Sequence, residues 1–383
     1  MALQKQLFLF ASALLLVSNL QNYGVAQEVP CYFIFGDSFA VNGNDKNLNT
    51  LKADYLPYGV DFPGGPSGRF SDGRTMVDII AHNIGFKEDI PSFLTVANNS
   101  EEILKGANYA SGAAILQAEI SGTKVTVVSL TKQEEEHQKT VKLITEKLGD
   151  KNKAEEHLKS CLYTVGVGSN DYLIDYYVAG NNGSEPKGKK PSEAFAENLV
   201  DGYLFDHLNA LYKASARKVA VFGLGPLGCC PSEVAKYPIN QKCISVIDTD
   251  MTIFNSRIPT IIERLNKEFQ DAQFTYIDMF KLTESAFAGF KVVDKPCCEV
   301  NDKGMCVPNK KNCENPKDHF FWDGYRPTEN ANLVLANLAY NASVPAQAKP
   351  FNIEQLVSKT AKKNEAPAAK APAAETPSAE TPK

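Results

Sequence analysis

Four short apolar runs set the first limit on how this chain can fold. They are Cys31–Phe35 (CYFIF), Leu162–Val167 (LYTVGV), Lys218–Leu224 (KVAVFGL) and Phe274–Asp278 (FTYID), and the first three run directly into a glycine. None shows the polar alternation of a strand with one wet face, so each reads as a strand buried on both sides, as in a parallel sheet. Helical patterns lie between and after them. Lys132–Leu148 is highly charged, and Ser192–Ser215 opens on Ser192 as N-cap and carries Leu204, Leu208 and Leu211 on one face. Pro259–Phe269 repeats Ile261, Ile262, Leu265 and Phe269, and its proline is expected only near a helix start. Thr328 is placed to cap a last helix through Tyr340. This alternation predicts one α/β domain, a three-layer α/β/α sandwich with a mostly parallel central sheet.

Both ends of the 383-residue chain depart from that pattern. An eleven-residue apolar run, Leu7–Val17, follows Lys5 and precedes the small residues Gly24 and Ala26. It is too short to span a bilayer and reads as a secretory signal peptide over residues 1–26. From residue 351 the composition shifts, with prolines at 367, 372, 377 and 382 in an Ala/Thr/Glu/Lys background. Such a segment buries too little apolar surface to offset ordering entropy, which predicts a disordered tail over 351–383 and a single domain over 27–350. No later run is apolar enough to cross a membrane. The protein is therefore expected in solution outside the cell, or in a secretory-pathway compartment such as a vacuole. A formal net charge of −5 without a basic stripe argues against a nucleic-acid partner.

Nine cysteines stand at 31, 161, 229, 230, 243, 297, 298, 306 and 313. In a secreted chain they read as disulfides, with an odd thiol left over. A zinc knuckle in the Cys297–Cys313 group is the rival reading, but no histidine is interleaved there. Three sequons, at Asn98, Asn182 and Asn341, predict glycosylation wherever they are exposed.

Ligands of an open parallel sheet bind outside the carboxyl ends of its strands. The first run ends in GDSFAVNGND, which places Ser38 there, and the Leu162 run ends in GVGSNDY, which places Asn170. Between them lies the small-residue loop GANYASGAAIL (Gly106–Leu116), and near the end comes FWDGYRP (Phe321–Pro327). Taken singly these are ordinary features: Ser38 a turn residue, Asn170 a helix cap, Asp323 and Arg326 a surface ion pair.

Together, and in this order, they resemble the plant-type GDSL esterase/lipases of the SGNH hydrolase superfamily over about Val29–Val344. The stretches PYGVDFPGGPSGRFSDGRTMVDIIA (Pro57–Ala81) and SARKVAVFGLGPLGCCPSE (Ser215–Glu233), and the cysteine group before FFWDGY, match as well. The resemblance implies ester hydrolysis through an acyl-serine, with a small acyl ester or lipid as substrate and neither cofactor nor metal. Ser38 matches the nucleophile and Asp323 the acid. The Ser38 N–H, Gly112 (or Ala113, one residue on) and the Asn170 amide match the oxyanion hole, where fixed donors meet developing negative charge. Two blocks depart from the family pattern. Val41 stands where Asp is usual and Asp45 where Asn is usual. The closing Asp-x-x-His-Pro reads Asp323-Gly324-Tyr325-Arg326-Pro327, so Arg326 occupies the general-base position. A guanidinium has a pKa above ~12 and no acceptor, so it cannot take the serine proton.

Five histidines exist, at 82, 137, 157, 207 and 319. The middle three lie in helical stretches and read as solvated or structural, and His82 reads as a packing residue. His319, four residues before Asp323, is the one candidate for a substitute base. Two functions follow. One is a secreted ester hydrolase of lipid metabolism with impaired activity. The other is an inactive glycoprotein that binds a protein partner, as the related myrosinase-associated proteins do, or that uses Arg326 to hold an anionic or acylated ligand.

Overall fold

The computed structural model describes residues 27–98, 101–120, 126–178, 187–188, 192–237, 242–341 and 347–358. Each of the four apolar runs forms a strand: β1 (Tyr32–Gly36), β3 (Leu162–Gly166), β4 (Lys218–Phe222) and β5 (Gln273–Ile277). Two short strands, β2 (Gly106–Asn108) and β6 (Ala348–Lys349), complete a six-stranded sheet in the order β6-β5-β4-β3-β1-β2. Every pairing is parallel except β6 against β5. Strand β1 lies between β3 and β2 and is buried along its whole length, as its unalternating sequence requires. Gly106 opens β2 with φ +112°, and a Cβ there would run into the Tyr32 carbonyl, so only glycine lets this edge strand approach β1.

Helices cover both faces. On one lie α1 (Met76–Asn83), α6 (Met279–Phe287), α7 (Glu329–Asn341) and α8 (Ile353–Val357); on the other lie α2 (Leu130–Leu148), α3 (Lys151–Ser160), α4 (Phe205–Lys213) and α5 (Ser245–Glu268). The expected α/β/α sandwich is the observed fold. Right-handed crossovers require this division, because the chain leaves β1 toward β2 on one side and later builds β3, β4 and β5 on the other. Thr328 caps α7 as expected, its hydroxyl oxygen accepting the Ala331 N–H at 3.2 Å. No helix among the described residues is long and apolar enough to cross a membrane.

Several elements differ from the sequence reading. Pro259 does not start a helix but sits inside the 24-residue α5. Proline removes one intrahelical hydrogen bond, and burial of Phe254, Ile258, Ile261, Ile262 and Leu265 along the same helix outweighs that loss. The stretch read as one helix from Ser192 is helical throughout, but it widens to a π-helical segment over Asn198–Leu204 between the α-helix Ser192–Glu197 and α4. Among the described residues the Ser192 hydroxyl caps no helix and donates to Asp250 in α5 at 2.5 Å. The start of the supposed tail is folded: Asn352 caps α8, and Ile353, Leu356 and Val357 are buried. Three apolar side chains at helical spacing were enough to anchor it. The tail beyond, 359–383, and the signal-peptide reading of 1–26 lie outside the described residues.

Four disulfides are present: Cys31–Cys161, Cys229–Cys243, Cys297–Cys313 and Cys298–Cys306. The last two use all four cysteines of the candidate knuckle. Cys230 is a free, buried thiol. Asn98 and Asn341 are exposed, and Asn182 lies outside the described residues.

Candidate active site

The chain leaves β1 for β2 in one direction and returns to β3 in the other, so a crevice opens beyond the carboxyl ends of β1 and β3. Ser38 lies two residues past β1. A tight turn holds it, in which the Asp37 carbonyl accepts the N–H groups of Ala40 and Val41 at 3.0 and 3.1 Å. Asp37 Oδ1 also accepts the Phe39 N–H at 3.0 Å. Burial pushes the Asp37 carboxyl up to about 6, although the Phe39 N–H and the charge of Arg326 pull the other way.

Asp323 and Arg326 reach the same point from the far end of the chain. Asp323 Oδ1 accepts the backbone N–H groups of Tyr325 and Arg326, both at 2.8 Å, the side-chain turn that aspartate favours. The Trp322 N–H donates to the Arg326 carbonyl at 2.8 Å and closes the turn behind it. Folded this way, Arg326 points its guanidinium at the serine. Nε–H donates to Ser38 Oγ at 2.9 Å, and Nη1 donates to Asp323 Oδ2 at 3.3 Å. The guanidinium also lies over the Phe70 ring, 4.7 Å from its centroid. Asp323 is 0% and Arg326 5% exposed, so they are not a surface ion pair. Burial opposes the arginine charge, but Asp323, Tyr58, Tyr325 and Asp37 outweigh it and raise the guanidinium pKa. Arg326 is a permanent cation in contact with Ser38 Oγ.

His319 is placed elsewhere. It begins the short strand His319–Phe321, paired with Val292, and its carbonyl accepts the Thr328 hydroxyl at 2.9 Å. Its Nδ1 is buried without a partner, and no hydrogen bond among the described residues joins it to Ser38 or Asp323. His137 and His207 are buried rather than solvated.

The loop between β2 and α2 completes the site, and two carboxylates and an amide fix it. Asp45 accepts the Ser111 hydroxyl, and its Oδ2 accepts the Gly112 N–H at 2.7 Å. Asp171 accepts the N–H groups of Leu116 and Gln117 at 2.9 and 3.1 Å. The Asn170 amide donates to the Ala114 carbonyl at 2.8 Å and toward the Gly112 carbonyl at 3.4 Å. This differs from the expected roles of Gly112 and Asn170, because the Gly112 N–H is spent on Asp45 and the Asn170 amide on the two loop carbonyls. The Ala113 N–H, the neighbouring placement, has no partner among the described residues.

Other contacts were not foreseen. The Tyr58 hydroxyl donates to Asp323 Oδ2 at 2.7 Å and accepts the Cys306 N–H at 3.1 Å. Burial and the Asp323 charge raise the Tyr58 pKa, which keeps that proton in place. Tyr58 and Phe70 both lie in the Gly-rich stretch, whose Gly59, Gly64, Gly65 and Gly68 adopt positive φ. Those glycines signalled a compact loop but not its destination. A largely apolar cavity of about 100 Å³ borders the same segments, walled by Asp37 and Phe39 beside Ser38 and by Tyr325 and Pro327 beside Arg326.

Three comparisons bear on this arrangement. The sequence profile described as GDSL-like Lipase/Acylhydrolase matches residues 32–339. Two Arabidopsis thaliana proteins named GDSL esterase/lipase are 38% identical over 338 residues and 39% identical over 339 residues, in each case 86% of this chain and 92% of the relative. A crystal structure of an extracellular lipase from Streptomyces rimosus aligns with a TM-score of 0.33 at 14% identity, over 81% of this chain and 99% of the other.

Proposed function

This chain belongs to the GDSL-like lipase/acylhydrolase family, and from that premise we propose a serine ester hydrolase whose turnover of acyl esters is impaired at one position, Arg326. Ser38 is the nucleophile, Asp323 the acid, and the Ser38 N–H and the Ala113 N–H the oxyanion donors, while the Asn170 amide holds their loop through the Ala114 carbonyl. One observation carries the reading: Arg326 Nε–H donates to Ser38 Oγ at 2.9 Å, where a general base would have to accept. A guanidinium has no lone pair for that proton. Loss of the base in a serine triad costs on the order of 10⁶ in kcat, about 8 kcal/mol of barrier. Roughly 10³–10⁴ over water remains from the oxyanion donors and binding.

The test is hydrolysis of a short-chain p-nitrophenyl ester by wild type, Ser38→Ala and Arg326→His. Wild type is expected to exceed Ser38→Ala only marginally, and Arg326→His to gain at least ~10³-fold in kcat; a wild type equal to Ser38→Ala would favour the binding reading given below. A wild type that exceeds Ser38→Ala by several orders of magnitude would overturn this assignment of Arg326.

The protein is, on the same reading, a secreted glycoprotein: residues 1–26 are removed, and the exposed Asn98 and Asn341, with Asn182, carry glycans. Four disulfides support an oxidising compartment. A second reading, an inactive fold that binds a partner or an anionic or acylated ligand, is favoured by the buried cation in the site.

A further inference from the structure

We infer that the proline-rich segment 359–383 docks back onto its own domain, in the groove between α4 and α5, held by aromatic rings and by Arg264. The groove shares no lining residue with the site at Ser38, so the inference is independent of how Arg326 is read.

The groove has a volume of about 470 Å³, and its walls include Phe205, Tyr212, Lys213, Arg264 and Phe269. The Tyr212 and Phe269 rings stack with centroids 3.7 Å apart, and the Arg264 guanidinium lies over the Phe205 ring at 4.0 Å. These flat faces are held by one another before any ligand arrives. Proline-rich strands are recognised in aromatic-lined grooves of this kind. Lys213 and Arg264 are exposed, and neither has an ion-pair partner among the described residues.

Three observations name the occupant. The described chain ends at Ser358, beside the groove. The Val357 carbonyl accepts from Lys218 Nζ at 3.3 Å, and Arg217, the residue before, lies over the Tyr212 ring at 4.0 Å and donates to the Tyr212 carbonyl at 2.9 Å. Nine further residues lead from Ser358 to Pro367, ~28 Å of extended chain and ample to enter the groove. Next, the sequence repeats every five residues from Pro367: Pro-Ala-Ala-Lys-Ala, Pro-Ala-Ala-Glu-Thr and Pro-Ser-Ala-Glu-Thr. Proline presets φ, so such a strand has less backbone freedom to lose on docking. Last, the repeat sets Lys370, Glu375 and Glu380 at equivalent positions, and the groove carries both signs. Glu375 and Glu380 meet Arg264 and Lys213, while Lys370 meets Asp206 and Glu268. A segment too poor in apolar residues to fold alone can dock where a surface supplies them. Its tether raises its local concentration to about a millimolar, so weak contacts suffice.

The experiment is zero-length carbodiimide coupling of the full chain, with the joined peptides identified by mass spectrometry. Glu375 or Glu380 is expected to couple to Lys213 within one molecule. The yield should exceed that for Lys303, an exposed lysine in the loop closed by Cys298–Cys306. Arg264→Glu, an exposed substitution that leaves the tether unchanged, should lower the Lys213 yield at least about fivefold, and Arg264→Lys should keep it. A mixture of isotopically light and heavy protein separates coupling within a molecule from coupling between copies. Three outcomes would overturn the proposal. Coupling to Lys213 that Arg264→Glu leaves unchanged reports the tether alone. Products of mixed isotope give the groove to the segment of a second copy. Equal yields at Lys213 and Lys303 mean that the segment does not dock.

Discussion

Asp323 takes hydrogen bonds from two backbone N–H groups, one phenol and one guanidinium, and removing the phenol separates its structural from its chemical part. Tyr58→Phe leaves the buried Cys306 N–H without its acceptor and Asp323 without its strongest side-chain donor. The expected cost is about 1–3 kcal/mol of folding stability, read by urea unfolding. In an Arg326→His background the same change should lower kcat more than it raises KM, since the acid would lose its orientation. An unchanged kcat there would show that Tyr58 only packs. This scale also shows what was legible in the sequence. Asp323 and Arg326 are three residues apart, so one turn fixes their relation, and Ser38 follows immediately on a strand that announces itself. Tyr58 meets Asp323 across 265 residues, and no local spacing encodes that. The orientation of Gly112 is not legible in the sequence for a related reason: the direction of its N–H is set by Asp45, on another loop.

Secondary-structure elements were readable in proportion to how much of their environment was uniform. Strands β1, β3, β4 and β5 are buried on both sides, so their composition alone marks them. Strands β2 and β6 are short edge strands, and their residues carry no such signature. The loop before α2 has no regular structure and depends on Asp45, Asn170 and Asp171. Asp171 is the clearest handle on it. Asp171→Asn presents an NH₂ to one of two backbone donors, Leu116 and Gln117, that now share a carboxylate. The expected destabilisation is about 1–3 kcal/mol, measured by urea unfolding. An effect below about 0.5 kcal/mol would mean the loop is held mainly by packing.

The whole molecule has an unusual acid balance. Burial raises the carboxyls of Asp37, Asp72 and Asp248 to about 6 and those of Glu136 and Asp171 to about 7. Because the folded pKa exceeds the unfolded one, the folded state binds more protons between pH ~4 and those values, and stability falls as pH rises through that window. Asp78, held below its usual value by Arg69, and His137, lowered to about 3 by burial, act oppositely; the Asp78 contribution is lost only below about pH 4, while that of His137 declines as pH falls below about 6.5 and is outweighed by the five carboxyls. Melting temperature is therefore expected to rise on going from pH 7.5 to pH 5, and a flat or falling profile would count against these five assignments. Cys230 supplies an independent gauge of the same quantity. Its thiol is buried on the wall of the cavity beside the site, and burial raises its pKa well above the ordinary range, so an alkylating reagent meets almost no thiolate in the native protein. Mass-resolved labelling of this one thiol would then proceed at the frequency with which the core opens. The odd cysteine of the chain thus serves as an intrinsic clock for its unfolding.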